Sequence, residues 1–142
     1  MPRIPVEGLD GLTRLVGAAS RPVVLVFDAD NTIVPRGVPP DVFRRTVTDT
    51  VARFEHDPRV DRVIVVTNGP ERGVCGMISR GNKPWTSRRR LGILADDAVV
   101  VVGDQTLTDG VLAWRLRGTF VHLAIDTRRE ALRQSLMRRL GR

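Results

Sequence analysis

Three acids, a hydroxyl and one cation stand out by type and by place. Asp28 and Asp30 close the run "RPVVLVFDAD", Thr67 and Asn68 end "VIVVTNG", and Asp104 follows Gly103 in "VVVVGDQ". Lys83 opens "KPWTSRRR" and is the single lysine among 23 basic residues, all others being arginine. Carboxylates brought together repel one another, and a hard divalent cation with oxygen ligands removes the repulsion. Mg²⁺ suits such a set, because it takes one or two carboxylates, several waters and a substrate phosphate. A carboxylate is also competent as a nucleophile toward phosphorus. A second carboxyl two residues on can give a proton to the leaving oxygen and then take one from water. The Thr67 hydroxyl, the turn amide of Asn68 and the compact ammonium of Lys83 suit the oxygens of a transferred phosphoryl group.

Such chemistry needs elements that carry these residues to one edge. "VVLVF", "VIVV", "AVVVV" and "TFVHLA" are short apolar runs of β-branched character, the pattern of strands buried on both faces. Between them the spacing predicts helices. "DGLTRLVGAA" places Leu12, Leu15, Val16 and Ala19 on one face behind Asp10 as N-cap. "PPDVFRRTVTDTVARFEHDP" aligns Phe43, Val47, Val51 and Phe54, with Asp41 as cap and a stop before Pro58. A short helix is expected from Lys83 to Leu91 with Gly92 past its end, another over "VLAWRLR" closed by Gly118, and a last one in the tail on Leu132, Leu136 and Leu140. Alternating strands and helices with doubly apolar strands predict a doubly wound, Rossmann-like α/β fold, a parallel sheet with helices on both faces. In such sheets ligands bind beyond the carboxyl ends of the strands. Asp28, Asp30, Thr67, Asn68 and Asp104 all fall there. The 14 residues between Asn68 and Lys83 are Gly- and Pro-rich, and a reduced turn or loop is expected before a strand near Met77 to Ser79.

These stretches together resemble the haloacid dehalogenase-like (HAD) phosphatases. "FDADNT" is similar to that family's DxDxT motif, "VIVVTNG" to its second motif, "KP" to its third and "VVVVGDQTLTD" to its acidic fourth. They come in the family's order across residues 23 to 109. "GDQTLTD", "KPW" and the small size look most like the subgroup related to phosphatidylglycerophosphate phosphatases. The resemblance implies that Asp28 is the nucleophile and Asp30 the general acid/base. It places Mg²⁺ on Asp28, the Asp30 backbone carbonyl and Asp104, and the phosphoryl group on Thr67, Asn68 and Lys83. Asp109 and Thr32 would stand just behind, with Asp109 orienting metal-bound water or Lys83. It also implies a phosphate monoester as substrate. The 36 residues from Asn31 to Val66 and the 14 before Lys83 leave no room for an inserted cap domain, so a large substrate is expected, such as a lipid head group, a protein or a nucleic-acid end. A neighbouring subunit closing the site, in a homo-oligomer, is the other way to cover it.

The bulk numbers set limits on partners. The 142 residues read as one domain, and the net charge of +7 favours anionic partners, whether substrate, membrane surface or nucleic acid. No tyrosine and only six Phe and Trp residues make a base-stacking platform unfavoured. One cysteine, Cys75, excludes an internal disulfide, and with no signal-peptide pattern or apolar span the expected place is the cytoplasm. The basic tail helix either covers the sheet or lies against anionic lipid on the inner face of the membrane. Each candidate has a plainer reading beside it. Asp109 also suits a helix cap, Thr67 and Asn68 a turn, His56 and His122 structural roles, and Trp85 and Trp114 packing. A basic scaffold that keeps the motifs without turnover is the alternative to an enzyme. A receiver-type signalling domain fits less well, because its acids are adjacent and its Lys-Pro comes later in the chain.

Overall fold

The computed structural model describes residues 3–28, 33–34, 37–66, 87–104 and 106–124. Within them five strands form one all-parallel sheet: β1 Arg3–Glu7, β2 Val23–Asp28, β3 Val60–Val66, β4 Ala98–Gly103 and β5 Thr119–Ala124, in the order β1-β5-β4-β2-β3. Three helices flank it: α1 Gly8–Gly17, α2 Pro40–Glu55 and α3 Thr106–Arg115. The architecture is Rossmann-like α/β.

Side chains alternate across each strand, and that parity divides the core in two. Val23, Leu25 and Phe27 of β2 face α1 and α2, where they meet Leu12, Val16, Phe43, Val47 and Phe54. The rings of Phe27 and Phe54 lie 5.6 Å apart at 47°. Val24 and Val26 face the other way, with Val99 and Val101 of β4, Phe120 of β5, and Leu112, Ala113 and Leu116 of α3. By the same parity Asp28, Gly103 and His122 point to the α3 side. So α2 leaves β2 on one face and α3 leaves β4 on the other, while β2 and β4 remain neighbours. A crevice opens between two such strands at their carboxyl ends.

Phe43, Val47 and Phe54 of α2 are buried as its spacing predicts, while Val51 is half-buried and Thr50 is buried beside it, its hydroxyl donating to the carbonyl of Thr46 at 2.8 Å. The caps do not follow. Asp10 and Asp41 sit inside the first turns, and the preceding positions are Glu7 and Pro39, neither making a side-chain cap. Asp10 instead accepts a hydrogen bond from Arg53 at 2.6 Å, tying α1 to α2. That bond and the guanidinium charge hold the Asp10 carboxyl below its ordinary value.

β1 is a strand that the pattern does not announce. "RIPVE" is short and carries Pro5, which an edge position tolerates because one side of the strand needs no ladder donor. The helix expected before Gly92 is, over its described part, a turn. Leu91 N donates to Ser87 O, and Gly92 at φ +69° closes it as a C-terminal glycine does. Trp114, expected to pack, is 69 % exposed on α3. The tail helix, Cys75, Trp85 and the expected strand near Met77 lie outside the described residues. No helix among the described residues is long and apolar enough to cross a membrane.

Candidate metal centre

β2 ends on Asp28 and β4 runs through Gly103 to Asp104, at adjacent carboxyl ends of the sheet. From Thr106 the chain turns into α3, and its first turn brings back Asp109. One carboxylate oxygen from each of Asp28, Asp104 and Asp109 lies within 4.8 Å of the others. Asp109 is fully buried, while Asp28 and Asp104 are half-buried.

The packing that seats Asp109 depends on Gly103. A Cβ at residue 103 would stand 2.2 Å from Asp109 Oδ2, 2.4 Å from its Cγ and 2.7 Å from its Cβ. The carboxyl of Asp109 therefore lies directly over the bare Cα of Gly103, on the α3 side of the sheet. Only glycine permits that approach.

Asp104 is held through its backbone. His122, paired with Gly103 across β4 and β5, places Nε2 3.1 Å from the carbonyl of Asp104. A carbonyl only accepts, so Nε2 carries the proton in this contact. The Asp104 Oδ1 atom is buried and has no hydrogen-bond partner among the described residues. A buried carboxylate oxygen without a partner carries a desolvation cost that a cation would remove. An unsatisfied oxygen beside two further carboxylates fits a divalent cation with oxygen ligands. Asp28, Asp104 and Asp109 are the side chains here that would hold one.

Of the residues singled out in the sequence, Asp28 and Asp104 are brought together. Asp109, expected just behind them or as a helix cap, offers a carboxylate oxygen within 4.8 Å of theirs. Its position had a signal in "TLTD", a Thr followed three residues later by an acid, which marks a helix start at Thr106 rather than at Gly110. Asp30, Thr32, Thr67, Asn68 and Lys83 lie outside the described residues. His56 has a structural contact at the end of α2, its Nδ1 2.6 Å from the carbonyl of Ala52.

The chain matches no family model, no curated protein and no solved structure.

Proposed function

We propose that the protein is a Mg²⁺-dependent phosphatase of the HAD type that hydrolyses a phosphate monoester through an aspartyl-phosphate on Asp28. The observation that carries the reading is the convergence of Asp28, Asp104 and Asp109 at the crevice between β2 and β4, with a buried Asp104 oxygen that has no partner among the described residues. Clustered carboxylates cost stability unless a cation is held there.

Asp28 supplies the attacking oxygen and Asp30 the proton for the leaving alcohol. When the aspartyl-phosphate forms, the P–O bond to the alcohol breaks and the alcohol departs protonated. Asp30 then takes a proton from water, which attacks phosphorus and restores the Asp28 carboxylate. Thr67, Asn68 and Lys83 hold the non-bridging oxygens. Mg²⁺ held by Asp28, Asp104 and Asp109 would supply charge neutralisation during the transfer. Asp104 and Asp109 stay fixed during this cycle, one through His122 and the other by its seat on Gly103.

The connection from β2 to β3 is occupied from Pro40 to Glu55 by α2, which packs on the sheet. That supports a site without a domain inserted at this point, open to a large substrate such as a phosphorylated lipid head group. The test is hydrolysis of an aryl phosphate with and without Mg²⁺. Activity is expected only with the metal and only with Asp28 intact; undiminished turnover by Asp28→Asn removes the nucleophile assignment.

A further inference from the structure

At the far end of α3 from Asp109, below the amino ends of β4 and β5, lies an open groove of about 620 Å³. Arg115 lies six residues beyond Asp109 on this helix, so the two places are about 9 Å apart along its axis. Ile93 and Leu94 give the groove an apolar surface, and Arg88, Arg89, Arg115 and Arg117 line it. None of its described lining residues is acidic. The carboxylate of nearby Asp97 is engaged by the backbone N–H of Leu94 at 2.8 Å.

Arg88 builds the wall. It donates Nη1 to the carbonyl of Leu116 at 2.6 Å, and Nη2 to the carbonyls of Asp97 at 3.0 Å and Leu94. The Leu116 carbonyl belongs to the negative end of α3, which would repel an anion. With that carbonyl covered by a guanidinium, Arg89 and Arg117 set the sign of the groove.

Arg117 also carries a conformational cost. Two turns of the same kind edge this groove. In one, Gly92 N donates to Arg89 O at 3.2 Å and Ile93 N to Arg88 O at 2.8 Å, with the left-handed position held by glycine at φ +69°. In the other, Arg117 N donates to Trp114 O at 3.1 Å and Gly118 N to Ala113 O at 2.8 Å. There the left-handed residue is Arg117 itself, at φ +53°. Glycine is the favoured residue at this position, and an L side chain is disfavoured. Gly118 is needed next to it for a different reason, since a Cβ there would lie 2.8 Å from Val99 O. A guanidinium kept where glycine is the more stable choice points to use of the side chain.

We propose that this groove is a second binding site, separate from the acidic cluster, for the phosphate group of a small soluble ligand. Arg89 and Arg117 grip the oxyanion as guanidinium forks, and the body of the ligand rests on Ile93 and Leu94. The site stands whether or not the acidic centre is a phosphatase.

The test is calorimetric titration of the full chain with inorganic pyrophosphate in EDTA, where the metal-free carboxylate cluster repels the probe. Saturable binding at one site per chain is expected, weakened at least tenfold in Arg89→Gln and in Arg117→Gly, and unchanged in Asp28→Asn. Arg117→Gly is also expected to melt higher than the wild type, so lost binding in that variant is not lost folding. Arg44→Gln and Arg45→Gln, on the exposed face of α2, are expected to bind within twofold of wild type. Absence of saturable binding overturns the proposal. So does an equal loss in the α2 variants, or attachment to phosphatidylglycerol vesicles without binding of pyrophosphate.

Discussion

Gly103→Ala tests the seat of Asp109 with a single methyl group. Built on the backbone, the new Cβ would lie 2.2 Å from Asp109 Oδ2, where ordinary contact begins at 3.4 Å, so the carboxylate must retreat by about 1 Å. It has little room to do so, because Asp109 is fully buried at the start of α3, and that helix is packed against β4 and β5 through Leu112, Ala113 and Leu116. Overpacking of this kind costs about 1–3 kcal/mol, or roughly 3–10 °C in melting temperature for a chain of this size. Displacing a site group by about 1 Å lowers a catalysed rate by about 10²-fold. The assays are aryl phosphate turnover at saturating Mg²⁺ and the rise in melting temperature that Mg²⁺ produces. Both should fall in Gly103→Ala. Gly17→Ala is the control, since a Cβ there meets nothing within 4 Å, and it should leave both unchanged. Turnover by Gly103→Ala within twofold of wild type would refute the role given to Asp109.

Two further outcomes follow from charge. Lys83→Arg should lose at least about tenfold in turnover with an unchanged melting temperature, because a planar fork does not replace a compact ammonium beside a bound phosphoryl group; near-normal turnover would contradict this. Asp10 is held below its ordinary value of 3.8 by Arg53, so its contribution to stability is present above that pH and is lost as pH falls through the lowered value. Urea midpoints of wild type and Asp10→Asn should therefore converge in acid and separate slightly above about pH 4, the gap staying small because the pair is exposed to solvent.

The sheet was readable where burial on both faces writes a continuous apolar run, as in Val23–Phe27 and Val99–Val102. Its edge was not. β1 needs only five residues and tolerates Pro5, so it leaves no periodic signal of its own. The helix faces were legible from spacing, while Asp10 and Asp41 misled as caps because an acid in the first turn and an acid at the cap look alike in sequence. At the centre, Asp28 and Asp104 could be placed from the ends of their strands. The seat of Asp109 could not, because it depends on an approach between Gly103 and a helix that only packing defines. The Arg88 staple and the left-handed Arg117 were equally out of reach. One joins residues through backbone carbonyls, which sequence does not distinguish, and the other occupies a position where sequence favours the neighbouring glycine.

The most direct measurement is to trap the proposed aspartyl-phosphate. Protein mixed with an aryl phosphate and Mg²⁺, then quenched into borohydride, should carry homoserine at position 28, because an aspartyl-phosphate is reduced at its acyl carbon. Peptide mass spectrometry should find the conversion at Asp28 alone, and none without substrate or in Asp28→Asn. Conversion at a different acid, or none at all while phosphate is being released, would contradict catalysis through Asp28.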